Sequence, residues 1–227
     1  MKQRIDWLDL WRSLAVLVML GFHALWDLEL FGAIPAGTME TPAAHLVRYL
    51  GGGSFILISG LLVLRGKNAL RRGFLLLCLG LAVAVVTALI GLPVRCGILV
   101  LLGLSMLLCA ALRPALERIR GLAMAGAWAL LFAGSWAVTA HVRVSFPFLY
   151  PLGLRTAEFF SADYWPLFPW VFLYLSGAAM SGFLPEPART RALPPALTFP
   201  GRHSLVIYLA HQPLFYGICL LLFHASA

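Results

Sequence analysis

Apolar residues in this chain come in long unbroken runs, without the alternation of a half-buried strand or the one-sided stripe of a soluble helix. A run needs about 20 residues to cross a bilayer as a helix. Seven runs approach or reach that length, over residues 7–29, 47–65, 73–91, 95–112, 121–141, 165–184 and 203–223, with short connections between them. The pattern predicts an all-α polytopic transmembrane helix bundle of about seven spans, with residues 1–227 as a single integral membrane domain. No internal repeat or low-complexity tract is visible.

Composition agrees. Of 227 residues, 61% are hydrophobic and 11% charged, against about 25% charged in soluble domains; the mean hydropathy is +0.90. An ordinary soluble domain is excluded, and the net charge of +8 reads as the basic bias of cytoplasmic loops, not as a nucleic-acid surface. Lys2, Arg4, Arg65, Lys67, Arg71, Arg72, Arg113, Arg118, Arg120, Arg189, Arg191 and Arg202 fall on one side, and Arg48, Arg95, Arg143 and Arg155 on the other. That distribution predicts a cytoplasmic N-terminus and an outside C-terminus. The N-terminal Met-Lys-Gln-Arg and its apolar run imitate a signal peptide, but the run carries Asp9 and Arg12 and has the length of a full span, so it is expected to be retained. Cys78, Cys96, Cys109 and Cys219 show no metal-ligand or disulfide spacing and read as small buried side chains. No metal is implied.

The two longest outward connections are 30–46 and 142–164. The second is rich in aromatics: Phe146, Phe148, Tyr150, Phe159, Phe160 and Tyr164, with Trp165 following. Two readings stand, an interfacial aromatic belt or a lid folded over the outer face. The proline-rich segment 185–202 reads as a polar cytoplasmic linker.

Ionisable side chains inside a span are expensive, so each is a functional-site hypothesis. The first span carries Asp9, Arg12, His23 and Asp27, which share one narrow stripe at about 100° per residue. Asp9 and Arg12 can pair across one turn, as a structural pair or as part of the site. His23 and Asp27 are four apart, so the carboxylate can hold one imidazole nitrogen and leave the other basic. A hydrogen-bonded histidine inside a bundle is the plainer alternative.

In the last span, Ser204, Tyr208 and His211 fall on one face, with Arg202 before them and Gln212 beside them. Pro213 frees a backbone carbonyl and permits a kink. Polar contacts between helices would explain the same pattern. Gly51, Gly52, Gly53 and Ser54 open the second apolar run, offering either bare amides for an oxyanion or close helix packing. Asp163, near Trp165 and Trp170, can read an amine or a sugar hydroxyl, or cap a helix.

Six segments taken together, Asp6-Trp-Leu-Asp-Leu-Trp-Arg12, Phe22-His-Ala-Leu-Trp-Asp27, Gly53-Ser-Phe-Ile-Leu-Ile-Ser-Gly60, Gly97 to Ser105, Asp163-Tyr-Trp-Pro-Leu-Phe-Pro-Trp170 and Gly201-Arg-His-Ser to Gln212-Pro213, resemble the bacterial relatives of the heparan-alpha-glucosaminide N-acetyltransferase catalytic domain. Arg12 and His23 also match the arginine-and-histidine signature of the related acyltransferase-3 group, whose histidine is thought to be catalytic. The resemblance implies a multi-pass acyltransferase of the bacterial cytoplasmic (inner) membrane. It would move an acetyl or other short acyl group from acyl-CoA to an amine or hydroxyl of a sugar-like acceptor.

His23, oriented by Asp27, would then act as general base or form an acyl-histidine. The Gly51 to Ser54 amides or Arg12 would steady the oxyanion, and His211 and Gln212 would complete the site. Arg65, Lys67, Arg71 and Arg72 are candidates for the nucleotide end of coenzyme A, or ordinary inward basic residues. Membrane lipids, acyl-CoA and the acceptor are the expected partners, and homo-oligomerisation is left open. A proton-coupled permease and a non-catalytic membrane subunit are the rival classes.

Overall fold

In the computed structural model, each of the seven apolar runs folds as a helix. The structure describes residues 5–186 and 192–224, so Lys2, Arg4, Arg189 and Arg191 lie outside the described residues. The helices are α1 (Asp6–Leu30), α2 (Pro42–Val63), α3 (Ala69–Leu89), α4 (Ile98–Ala111), α5 (Arg113–Arg118), α6 (Leu122–His141), α7 (Leu167–Met180), α8 (Pro195–Arg202) and α9 (Ser204–His224). Three short 3-10 helices, Thr38–Glu40, Pro147–Leu152 and Ser181–Phe183, sit in the connections. Five helices, α1, α2, α3, α6 and α9, are long and apolar enough to cross a membrane. Helices α4 and α7 are apolar but have 14 residues each.

The chain divides into two compact units, one formed by Met1–Phe55 and Pro185–Ala227, the other by Ile56–Leu184. In the first, α1 packs on both α8 and α9. Gly201 makes the α1–α8 contact possible, since a Cβ there would stand 2.0 Å from the Asp9 carbonyl oxygen. The carboxylate of Glu29 accepts the backbone N–H groups of Gly37 and Met39, each at 2.7 Å, and so ties the following loop to the end of α1.

In the second unit α3 lies along α4, α6 along α7, and α4 against α7. Backbones approach closely where the later turns of α2 meet α7: a Cβ at Gly60 would stand 2.0 Å from the Tyr174 carbonyl oxygen, and one at Gly177 2.4 Å from that of Leu57. Small residues at such crossings let dispersion and backbone contacts replace the hydrophobic drive that lipid does not supply. Arginines secure the ends. Arg113 donates to the carbonyls of Leu64 and Gly66 at 2.5 and 2.9 Å, and Arg65 donates to the carbonyl of Leu184.

The connection 142–166 is folded. Val144 bonds Arg155 across an isolated bridge, and Tyr150, Phe159 and Tyr164 stack in sequence with ring centroids 5.3 and 4.8 Å apart. Tyr164 donates its hydroxyl to the Tyr150 carbonyl at 2.6 Å. Burial pushes that phenol above its ordinary range, although the Arg155 guanidinium over the ring opposes the shift. The segment also bonds to residues 93–96, through Ala162 N–H to Pro93 and Trp165 N–H to Cys96. These aromatics therefore pack on one another within a folded connection.

Candidate active site

Two polar clusters occupy the first unit. The lower one surrounds the start of α1. Arg202, the last residue of α8, reaches Asp6 at 2.8 Å and Asp9 at 3.2 Å, and Arg12 lies 3.8 Å from Asp9. The buried Ser13 hydroxyl donates to the Asp9 carbonyl and accepts the Gly201 N–H, while Asp6 also accepts the Leu193 N–H at 3.0 Å. Asp9 and Arg12 do pair, but within a clamp that fastens α8 to α1. His23 lies eleven positions beyond Arg12, with ten residues between them and about 16 Å along a helix, so Arg12 cannot steady an oxyanion at His23. Arg202 is engaged by the same two carboxylates. Asp6 joins the clamp although the sequence reading left it out; its place at the head of the Asp-Trp-Leu-Asp segment was the available signal.

The upper cluster lies fourteen residues further along α1. His23 and His211 meet with ring centroids 4.8 Å apart and planes at 74°. The expected hydrogen bond from His23 to Asp27 is not the one formed. Nδ1 of His23 donates to the Met19 carbonyl of its own helix at 3.0 Å, because a carbonyl one turn back competes with a side chain one turn forward. Asp27, fully buried, instead accepts the Gln212 amide N–H at 2.7 Å through Oδ1. Nδ1 of His211 likewise donates to a carbonyl, that of Tyr208, at 2.6 Å. A carbonyl only accepts, so both Nδ1 atoms carry the proton and Nε2 is the basic nitrogen of each neutral ring.

Tyr208 places its ring 5.5 Å from that of His211, and Phe215 stands on the other side at 6.0 Å. Ser204 begins α9 and is half-buried, two turns before His211. Pro213 lies inside the helix directly after the pair. Beyond Asp27, Phe31 meets Tyr216, with centroids 5.3 Å apart. Buried polar atoms without a hydrogen-bond partner among the described residues include Oδ2 of Asp27 and Oε1 of Gln212.

The glycine segment does not offer free amides. Residues 51–54 lie well inside α2, where each N–H bonds the carbonyl four residues back. A Cβ at Gly51 would stand 3.0 Å from Val18 on α1, so close packing explains that glycine.

In the second unit, Asp163 accepts the indole N–H of Trp165 at 2.7 Å and does not cap α7, whose N-cap is Pro166. Trp165 and Trp170 are both buried, with centroids 4.5 Å apart. Lys67, Arg71 and Arg72 stand exposed on the turn into α3, and Arg65 is exposed at the end of α2 with its guanidinium bonded to Leu184. Among the described residues, no group of three or more His, Cys, Asp or Glu side chains is placed to hold a metal ion.

Among the described residues, a helical fold with five bilayer-length apolar helices and two imidazoles facing each other from α1 and α9 is that of a membrane protein with a paired-histidine cluster. The family model described as heparan-alpha-glucosaminide N-acetyltransferase, catalytic, matches residues 4–213, and the chain belongs to that family. Membership places it among acetyltransferases of the membrane. Neither the curated proteins nor the solved structures give a significant match.

Proposed function

We propose that this chain transfers an acetyl or other short acyl group from acyl-CoA to an amine or hydroxyl of a sugar-like acceptor, with His23 as the general base. The supporting observation is the His23–His211 pair, in which two backbone carbonyls hold both Nδ1 protons and turn both Nε2 atoms into proton acceptors. Attack of the acceptor on the thioester carbonyl forms the new C–N or C–O bond. The acceptor's proton passes to Nε2, the C–S bond breaks, and the leaving thiolate takes the proton back from the imidazolium. The orienting role first given to Asp27 passes to the Met19 carbonyl. Lys67, Arg71 and Arg72 on the turn into α3 suit the phosphates of coenzyme A. A bacterial cytoplasmic membrane suits the distribution of basic residues.

Calorimetry of the detergent-purified protein with coenzyme A and acetyl-CoA, alongside thiol release on adding glucosamine, tests the reading. Saturable binding and thiol release are expected, with at least about a hundredfold loss of rate in His23→Ala. Folded protein that binds neither nucleotide would refute it.

A further inference from the structure

Arg65 and Arg113, at one end of the second unit, spend their N–H groups on backbone carbonyls. Arg95 and Arg155, at the other end, do not. The guanidinium carbon of Arg95 lies 5.7 Å from the centre of the Phe159 ring, and that of Arg155 5.5 Å from the centre of the Tyr164 ring. Those rings are neighbours, 4.8 Å apart, so one aromatic stack carries both cations. Neither guanidinium meets a hydrogen-bond acceptor or a carboxylate among the described residues, although Glu158 directly precedes Phe159. The isolated bridge brings Arg143 beside Arg155, with the Arg143 guanidinium on the carbonyls of Ala140 and Val142.

A guanidinium presents its N–H donors as a planar fork that fits a phosphate bidentately. A ring beneath it favours the cation and leaves those donors unspent. The surroundings decide which anion suits them. Helix α6 is of bilayer length and ends at His141, so the connection starts at the level of the lipid headgroups. On that connection Phe146, Phe148, Leu152 and Phe160 are exposed, and the first two rings lie 5.4 Å apart. A soluble anion leaves such rings in water, whereas a glycerophospholipid brings phosphate and acyl chains in one molecule. The connection with Arg95 is also net positive, with Arg95, Arg143 and Arg155 against Glu158 and Asp163. A headgroup carrying its own cation, such as choline, is therefore disfavoured beside one carrying glycerol.

We infer that Arg95 and the connection 142–166 form a docking surface for an anionic glycerophospholipid. The lipid phosphate accepts from the Arg95 and Arg155 guanidiniums over the Phe159 and Tyr164 rings, and the acyl chains lie against the exposed phenylalanines. Through the Trp165 N–H to Cys96 bond the same surface is joined to the starts of α4 and α7, so the bound lipid holds this end of the unit together.

The test is native mass spectrometry of the purified full chain in detergent, with phosphatidylglycerol and phosphatidylcholine of identical acyl chains added in equal amounts. Phosphatidylglycerol is expected to be preferred at least about fivefold, since one basic residue at a lipid surface is worth about that factor toward anionic lipid. Arg95→Gln with Arg155→Gln should bring the ratio to about one. Arg95→Lys with Arg155→Lys keeps the charges but loses the forks, and should lower the ratio about threefold. Phe146→Ser with Phe148→Ser should weaken both lipids and leave the ratio unchanged. Arg118→Gln, beyond the other end of α4, is the control and should change nothing. Melting temperatures in detergent alone are read first, and Arg155→Gln alone serves where a double variant is unfolded.

Equal binding of the two lipids, or an undiminished preference in the glutamine variant, overturns the proposal. An undiminished preference in the lysine variant overturns the ring-held forks in favour of diffuse charge. Inorganic phosphate that binds as tightly as the lipid in calorimetry overturns it in favour of a soluble anion.

Discussion

Gly201→Ala is the sharpest test of how α8 and α1 are joined. The added Cβ would fall 2.0 Å from the Asp9 carbonyl oxygen and 3.0 Å from the Arg12 Cβ, where real side-chain carbons keep at least 3.0 Å. The nearest obstacle is backbone, which cannot swing aside, so α8 must retreat by about 1 Å. That retreat stretches the buried Gly201 N–H to Ser13 bond, now 2.9 Å, and the Arg202 ion pairs at 2.8 and 3.2 Å. Overpacking costs about 1–3 kcal/mol and a compromised buried hydrogen bond about 1–3 kcal/mol. The sum is roughly 2–6 kcal/mol, or a fall in melting temperature of about 4–24 °C for a chain of this size. Thermal unfolding in detergent reads it directly. Gly21→Ala is the control, because a Cβ there meets nothing within 4 Å and the change should be neutral or gain about 0.5–1 kcal/mol of helix propensity. A Gly201→Ala protein melting together with wild type would refute the packing argument.

Arg202→Met removes the shared guanidinium from Asp6 and Asp9. The arginine is 29% exposed, so the cost is screened to about 1–3 kcal/mol, and reversal by Asp6→Asn with Asp9→Asn in chemical denaturation would identify the charge as its source. Cys96, on the connection before α4, has its thiol pushed up to about 11 by burial. The thiolate is the reactive form, so at pH 8 alkylation of a protein whose other cysteines are serine should run about a hundredfold slower than a free thiol; labelling at the free-thiol rate would contradict the burial. Because Cys96 also holds φ at 56°, Cys96→Gly should raise the melting temperature by relieving about 1–2 kcal/mol of left-handed strain.

The seven helices were legible because an unbroken apolar run is a long-range signal that neighbours seldom override. The polar stripe of α1 was legible for the same reason, since its spacing follows helix geometry alone. Partner choice was not. His23 has the Met19 carbonyl and the Asp27 carboxylate at equal sequence distance, and only the arrival of Gln212 from α9 decides that Asp27 is taken elsewhere. Helix α8 was hidden by its prolines: 185–202 reads as a linker, yet Pro195 falls in the first turn, where a missing N–H costs little. The Gly51–Ser54 segment misled in the other direction. Consecutive glycines suggest bare amides, but apolar residues on both sides carry α2 straight through them.

The two short helices raise a question of topology that the second unit answers from its own hydrogen bonds. A 14-residue helix spans about 21 Å, less than a hydrocarbon layer of about 30 Å. Yet Arg113, just past the end of α4, bonds the carbonyls of Leu64 and Gly66, and Arg65 bonds that of Leu184, just past α7. At the opposite ends of the same helices, Cys96 precedes α4 and Trp165 precedes α7, and these two residues bond each other. Each short helix thus runs from the end of the unit that holds residues 93–96 to the end that holds 64–66, the same traverse as the longer helices beside it. We propose on this ground that α4 and α7 cross the bilayer, which makes seven crossings with α1, α2, α3, α6 and α9. Single cysteines at Lys67, Arg118 and Arg143 in a cysteine-free background separate the alternatives. With seven crossings, positions 67 and 118 are labelled by an impermeant maleimide from one face and position 143 from the other. If α4 and α7 stay on one side, 67 pairs with 143 and 118 stands opposite, and the traverse argument fails.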